Sequence, residues 1–111
     1  MKETLRLREK TAFKKIYNRG SSLANKYLVM FYSKNNQSHN KVGFIASKKV
    51  GNSVVRNRAR RLMKETFRLY SGEIEHGYDL ILIARANIKD ATYKEVEKAM
   101  KHIFKKSKLL K

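Results

Sequence analysis

No acidic residue occurs between Glu9 and Glu65. A folded surface normally intersperses both signs of charge, so half of this chain must fold into something that shows one sign only. The simplest physical reason is a polyanionic partner. A carboxylate on the contact face would repel phosphate, and every Lys or Arg attracts it. The whole chain leans the same way, with 27 Lys and Arg against 9 Asp and Glu and a formal net charge of +18. Like charges on a compact body repel one another, so full folding of the isolated protein is expected to need bound anions or salt.

At 111 residues the chain is expected to form one domain, 1–111, with a modest core. A hydrophobic content of 41% argues against disorder despite the charge. There is no cysteine, which excludes a disulfide framework and thiolate metal sites. No apolar run approaches the ~18–20 residues of a membrane span. The start, Met1-Lys2-Glu3-Thr4-Leu5-Arg6, lacks the apolar stretch of a secretory signal. The expectation is a cytoplasmic protein without membrane attachment.

Thr11 is placed to cap a short helix that stops at Gly20, with Phe13, Ile16 and Tyr17 on one face. Tyr27–Tyr32 and Val42–Ala46 have strand composition, separated by the polar loop Asn35–Asn40. Tyr78–Ala84 is a continuous apolar run of strand length, which suggests burial on both faces. Thr92 and Glu95 have capping-box spacing for a last helix. That helix turns Val96, Met100, Ile103 and Phe104 inward and Lys94, Lys98, Lys101 and Lys105 outward. Helix, strands, helix, strand, helix describes an α+β protein, a two-layer α/β sandwich.

The segment Ser53–Tyr70 carries the charge. At ~100° per residue, Val55, Ala59, Leu62, Met63, Thr66, Phe67, Leu69 and Tyr70 fall on one side. Arg56, Asn57, Arg58, Arg60, Arg61, Lys64, Glu65 and Arg68 fall on the other. A merely solvated face would mix Glu with Lys in i, i+4 pairs, and here only Glu65 is acidic. Guanidinium forks match phosphate oxygens bidentately, so this face points to nucleic acid. Gly51-Asn52-Ser53 leads into the helix N-terminus, a potential anion site. It is no P-loop, since no Gly-Lys-Ser/Thr follows.

The segments Phe13–Gly20, Val42–Asn52, Arg56–Arg61 with Lys64-Glu65, and Ile83–Arg85 together resemble the bacterial ribonuclease P protein family. The block Ser47-Lys48-Lys49-Val50-Gly51-Asn52-Ser53-Val54-Val55-Arg56-Asn57, followed by the Arg-rich helix, is the most specific part. The resemblance implies a subunit of a ribonucleoprotein endonuclease in which RNA cuts precursor tRNA, using magnesium ions held mainly by RNA. It implies a protein that helps bind the 5′ leader and supports metal affinity; no cofactor, metal or catalytic residue is expected in the protein itself, and a monomer is expected within the ribonucleoprotein. It also implies a left-handed βαβ crossover around the Arg-rich segment, where general sheet chirality would give a right-handed one.

Two surfaces follow from the same resemblance. Arg56, Asn57, Arg58, Arg60, Arg61, Lys64 and Arg68 are implied to contact the catalytic RNA. A cleft for the 5′ leader of precursor tRNA is implied to be lined by Phe13, Tyr17, Val29 and Phe31, with Ser47, Lys48, Lys49, Asn52 and Arg85 at its edges. The chemistry fits, because single-stranded RNA is held by aromatic faces that stack on bases and cations that follow phosphates. From periodicity alone Phe13 and Tyr17 read as core residues; the resemblance favours the cleft for at least one ring.

Three other readings use the same residues. A plain structural RNA binder would share the charge but need no aromatic cleft. A metal-dependent nuclease would use Glu73, Glu75, His76 and Asp79, which otherwise form a polar loop with Gly72 and Gly77. A helix-turn-helix DNA binder would need a second helix ahead of the basic one. His39 and His102 have no partners at catalytic spacing, and no nucleophile elbow or His-x-x-x-His pair occurs.

Overall fold

In a computed structural model of the chain, residues 5–6 and 10–111 are described, with side-chain surroundings from residue 14 onward. The elements are β1 (Leu5–Arg6), α1 (Lys10–Arg19), β2 (Ser21–Ala24), β3 (Leu28–Lys34), β4 (Lys41–Ile45), α2 (Ser53–Tyr70), β5 (Tyr78–Ala84), a 3₁₀ turn (Ala86–Asp90) and α3 (Tyr93–Lys106). The strands form one sheet in the order β1-β4-β5-β3-β2. The mixed α+β class is as expected.

Strand alternation sends successive side chains to opposite faces. On one face Leu28, Met30, Val42, Leu80 and Leu82 are buried beneath Leu62, Met63 and Phe67 of α2 and Val96, Met100, Ile103 and Phe104 of α3. Phe67 packs against both Phe44 and Phe104, with ring centroids 5.6 and 5.8 Å apart. On the other face, among the described residues, only α1 packs, burying Ile16 against Ile81, with Phe31, Ile45 and Ile83 partly covered around them.

β4 and β5 are adjacent and parallel, joined by α2. This is the βαβ unit that the family resemblance implied. β5 therefore enters between β4 and β3, although β3 and β4 are consecutive in sequence and separated only by the polar loop. That loop is less loose than its composition suggests. Asn40 is buried, donates to the Glu75 carbonyl (2.9 Å) and accepts from the Tyr78 N–H (2.8 Å), tying the loop to the start of β5.

Several local expectations need correction. α1 begins at Lys10, so Thr11 lies inside its first turn rather than at its cap; the side chains of Thr11 and Phe13 lie outside the described residues. Leu69, placed on the core side by the helical wheel, is 50% exposed. At ~100° per residue Leu69 falls at the edge of the buried arc, whose middle is held by Ala59, Met63, Thr66 and Phe67, while its neighbour Tyr70 still packs against the core. Two edge elements, β1 and the Ser-Ser-Leu-Ala strand β2, have no strand signature in sequence; β2 exists because β3 offers it an edge. The stop at Gly20 has a steric cause. A Cβ there would lie 2.6 Å from the Ile16 carbonyl oxygen and 2.7 Å from that of Tyr32. Only glycine lets the end of α1 approach β3 so closely.

Candidate nucleic-acid interface

Asn52 starts α2. Its side-chain oxygen accepts from the Val55 N–H at 3.0 Å, satisfying one of the helix's orphan donors. Gly51 has a φ of 154° and a Cβ there would meet Val55 at 2.9 Å, so the turn into the helix requires glycine. Val50 is buried and anchors the loop, while Ser47, Lys48 and Lys49 around it stay exposed.

The basic residues of α2 divide into two groups. Some are held by backbone carbonyls. Arg56 donates to Gly51 (3.2 Å), Arg58 to Ala91 (3.0 Å), and Arg60 to Ala46 (3.4 Å) while also contacting Asn57. Each such bond spends one donor of a five-donor fork and fixes the direction of the rest. Arg61, Lys64 and Arg68 lie further along the helix, exposed. Asn57 is exposed between Arg56 and Arg58. The seven residues thus share one helix, with the first half oriented by its surroundings and the second half exposed and without such bonds among the described residues.

The open face of the sheet gathers the aromatic group. Phe31 on β3 meets Tyr17 on α1 edge to face, with centroids 4.9 Å apart and planes at 82°. Tyr17 is 41% exposed, and partial burial pushes its phenol above the usual tyrosine range. Tyr17 is thus a rim residue, and Ile16 is the core residue among the described side chains of α1. Val29 pairs with Ile83 and Phe31 with Ile81, so these four share the open face. Ile45, in register with Ile83, extends it, and the sequence pattern points to neither isoleucine as a site residue. Ile83 required knowing that β5 pairs with β3, since the run Tyr78–Ala84 looks uniformly buried in sequence. Ile45 required knowing that β4 lies beside β5.

Parallel pairing decides what surrounds this face. Ile45 is in register with Ile83, so the segments leaving β4 and β5 emerge at the same end of the sheet. One carries Ser47, Lys48, Lys49 and Asn52; the other carries Arg85. Residues separated by more than 30 positions in sequence are thereby brought to one end of the apolar face. Arg85 is exposed, with its backbone N–H bonded to the Tyr27 carbonyl and its guanidinium to the Asn25 carbonyl, each at 2.9 Å. Asn52 belongs to this group by position, yet its side-chain oxygen is engaged in capping. Phe13 lies in α1 ahead of Ile16 and Tyr17.

The 73–79 cluster does not converge. Asp79 accepts from Asn35 at 3.0 Å, and the Glu75 carbonyl holds Asn40. Among the described residues no group of three His, Asp or Glu side chains stands close enough to hold a metal ion. No helix among them is long and apolar enough to cross a membrane.

A one-sided basic helix on one face of the sheet, with an aromatic face edged by cations on the other, defines an RNA-binding α/β protein. The ribonuclease P family model matches residues 1–108. The chain is 46% identical to the ribonuclease P protein component of Alkaliphilus metalliredigens, over 99% of both chains. It is also 46% identical to that of Clostridioides difficile, over 91% of this chain and 90% of the other. The fold superposes on the Staphylococcus aureus RNase P protein with a TM-score of 0.88 at 32% identity, covering 98% of this chain and 100% of that one. The Thermotoga maritima protein gives 0.83 at 28% identity, covering 91% and 96%. The chain belongs to the ribonuclease P protein family, and is the protein subunit of the ribonucleoprotein endoribonuclease that removes 5′ leaders from precursor tRNA.

Proposed function

We propose that the two surfaces divide the work of RNA binding. The outer face of α2, through Arg56, Asn57, Arg58, Arg60, Arg61, Lys64 and Arg68, holds the catalytic RNA. The open sheet face, through Phe13, Tyr17, Val29 and Phe31 with Ser47, Lys48, Lys49, Asn52 and Arg85, holds the single-stranded leader. The observation that carries this reading is the Tyr17–Phe31 pair on an apolar face whose one end collects two separate cationic segments. Aromatic faces accept any base and cations any phosphate, which suits leaders of varied sequence.

On this reading the protein positions RNA and contributes no reacting group. Chemistry and magnesium ions belong to the RNA. The protein acts as a monomer within the ribonucleoprotein, in the bacterial cytoplasm. Cleavage of precursor tRNA by protein alone, by RNA alone and by the mixture tests the division. The expected result is no cleavage by protein alone, slow cleavage by RNA alone at high magnesium, and efficient cleavage by the mixture at lower magnesium. Magnesium-dependent cleavage by protein alone would overturn it.

A further inference from the structure

Asn25 lies in the β2–β3 turn, and every polar group it has is engaged. Its side-chain oxygen accepts from the N–H groups of Tyr27 (3.2 Å) and Leu28 (3.1 Å), and its own N–H donates to the Leu28 carbonyl (2.9 Å). Its side-chain nitrogen donates to the Ala99 carbonyl inside α3 (2.8 Å) and lies 3.3 Å from Nδ1 of His102. Its backbone carbonyl accepts from the guanidinium of Arg85 at 2.9 Å, and the Arg85 N–H reaches the neighbouring Tyr27 carbonyl. An Asx turn fixes a backbone locally. Here the same side chain also locks that backbone to a helix 74 residues away in sequence.

We propose that Asn25 is a positioning residue for leader binding, acting through Arg85. An exposed arginine loses side-chain freedom when it grips a phosphate. The carbonyl of Asn25 holds one nitrogen of the guanidinium in advance and leaves the other donors directed outward. The Ala99 bond keeps that carbonyl in place. This inference rests on the reading of Arg85 as a leader contact.

The test uses holoenzyme reconstituted from the full chain and catalytic RNA, with Asn25→Ala, Arg85→Ala and the double variant. Affinity for leader-bearing and for mature tRNA is measured, together with thermal stability. Each single change is expected to weaken leader-bearing tRNA about three- to tenfold, the cost of an unordered side chain, with mature tRNA unchanged. The double variant is expected to be no weaker than Arg85→Ala, since both changes remove one contact. A silent Arg85→Ala would overturn the leader role of Arg85 and this inference with it. A damaging Arg85→Ala combined with a silent Asn25→Ala, or with losses that multiply in the double variant, would overturn the inference alone. Should Asn25→Ala fail to fold, Asn25→Ser keeps a hydroxyl for the turn but is too short to reach Ala99. The same cycle then applies, with the same outcomes deciding.

Discussion

Leu28, Met30, Leu80 and Leu82 point to one side of the central strands and are fully buried under α2 and α3. Val29, Phe31, Ile81 and Ile83 alternate with them and point to the other side, where α1 alone lies among the described residues; of these four only Ile81 is fully buried. Both faces are apolar, and both come from the same strands by the same alternation. Two helices close the first face. One helix half-closes the second and leaves aromatic and branched side chains at the surface of a protein of net charge +18. An apolar area left partly open beside cations marks a place where something else completes the burial. Hydrophobic content alone therefore does not separate core from site; the number of layers covering it does.

The comparison breaks most visibly at its closed side. Leu82→Ala removes a fully buried side chain between the sheet and the helices and should cost about 2–5 kcal/mol of stability. Denaturant melts check the loss, and both RNA activities should fall together with the folded population. On the open side Phe31→Leu keeps most of the apolar volume and removes the stacking face. A loss of about 1–3 kcal/mol in affinity for leader-bearing tRNA is expected, with mature tRNA and melting temperature nearly unchanged. If Phe31→Leu instead behaves like Leu82→Ala, the second face is core and the contrast between the faces disappears.

Smaller effects sharpen the picture within the basic helix. Arg61 and Arg68 are exposed on α2. Replacing either with Ala should weaken catalytic-RNA binding and make the salt dependence shallower by roughly one unit of log–log slope. Titrations at several salt concentrations measure this. A slope that does not change would remove that residue from the phosphate contacts.

The smallest effect concerns the closed side's cap. The Thr92 N–H, the Tyr27 hydroxyl and the Thr92 hydroxyl environment hold the Glu95 carboxyl below its ordinary range. A depressed folded value means that the stabilisation is fully present above the unfolded pKa and is lost as pH falls through the folded one. A small drop in melting temperature on acidification is expected, and Glu95→Gln should remove that part of the pH dependence. Because Glu95 touches only the closed side, discrimination between leader-bearing and mature tRNA should not change in this variant.

Much of the local structure was legible because it is written in short-range periodicity. α2 spans Ser53–Tyr70 and β5 spans Tyr78–Ala84, as their patterns suggest. The Thr92–Glu95 capping box is present in both directions. Leu69 shows where periodicity fails: a wheel assigns a side, but not whether anything packs against that side. Asn25 and Asn40 show a second limit. Each is a short polar residue in a turn-like setting, and each organises contacts dozens of positions away. No local pattern distinguishes such a residue from an ordinary turn former.

The sequence by itself determined the sign of the surface, the acid-free half, the helix that carries the arginines and the amphipathic face that binds α3 to the core. These depend on residue type and on spacings of a few residues, which backbone geometry converts directly into faces. Tertiary structure alone decided that β5 enters between β4 and β3, that α1 covers one face incompletely, and that Lys48 and Arg85 emerge at the same end of the sheet. Strand neighbours are selected by long-range pairing and by the burial of whole layers, so the information that assembles the RNA-binding face is distributed over the entire chain.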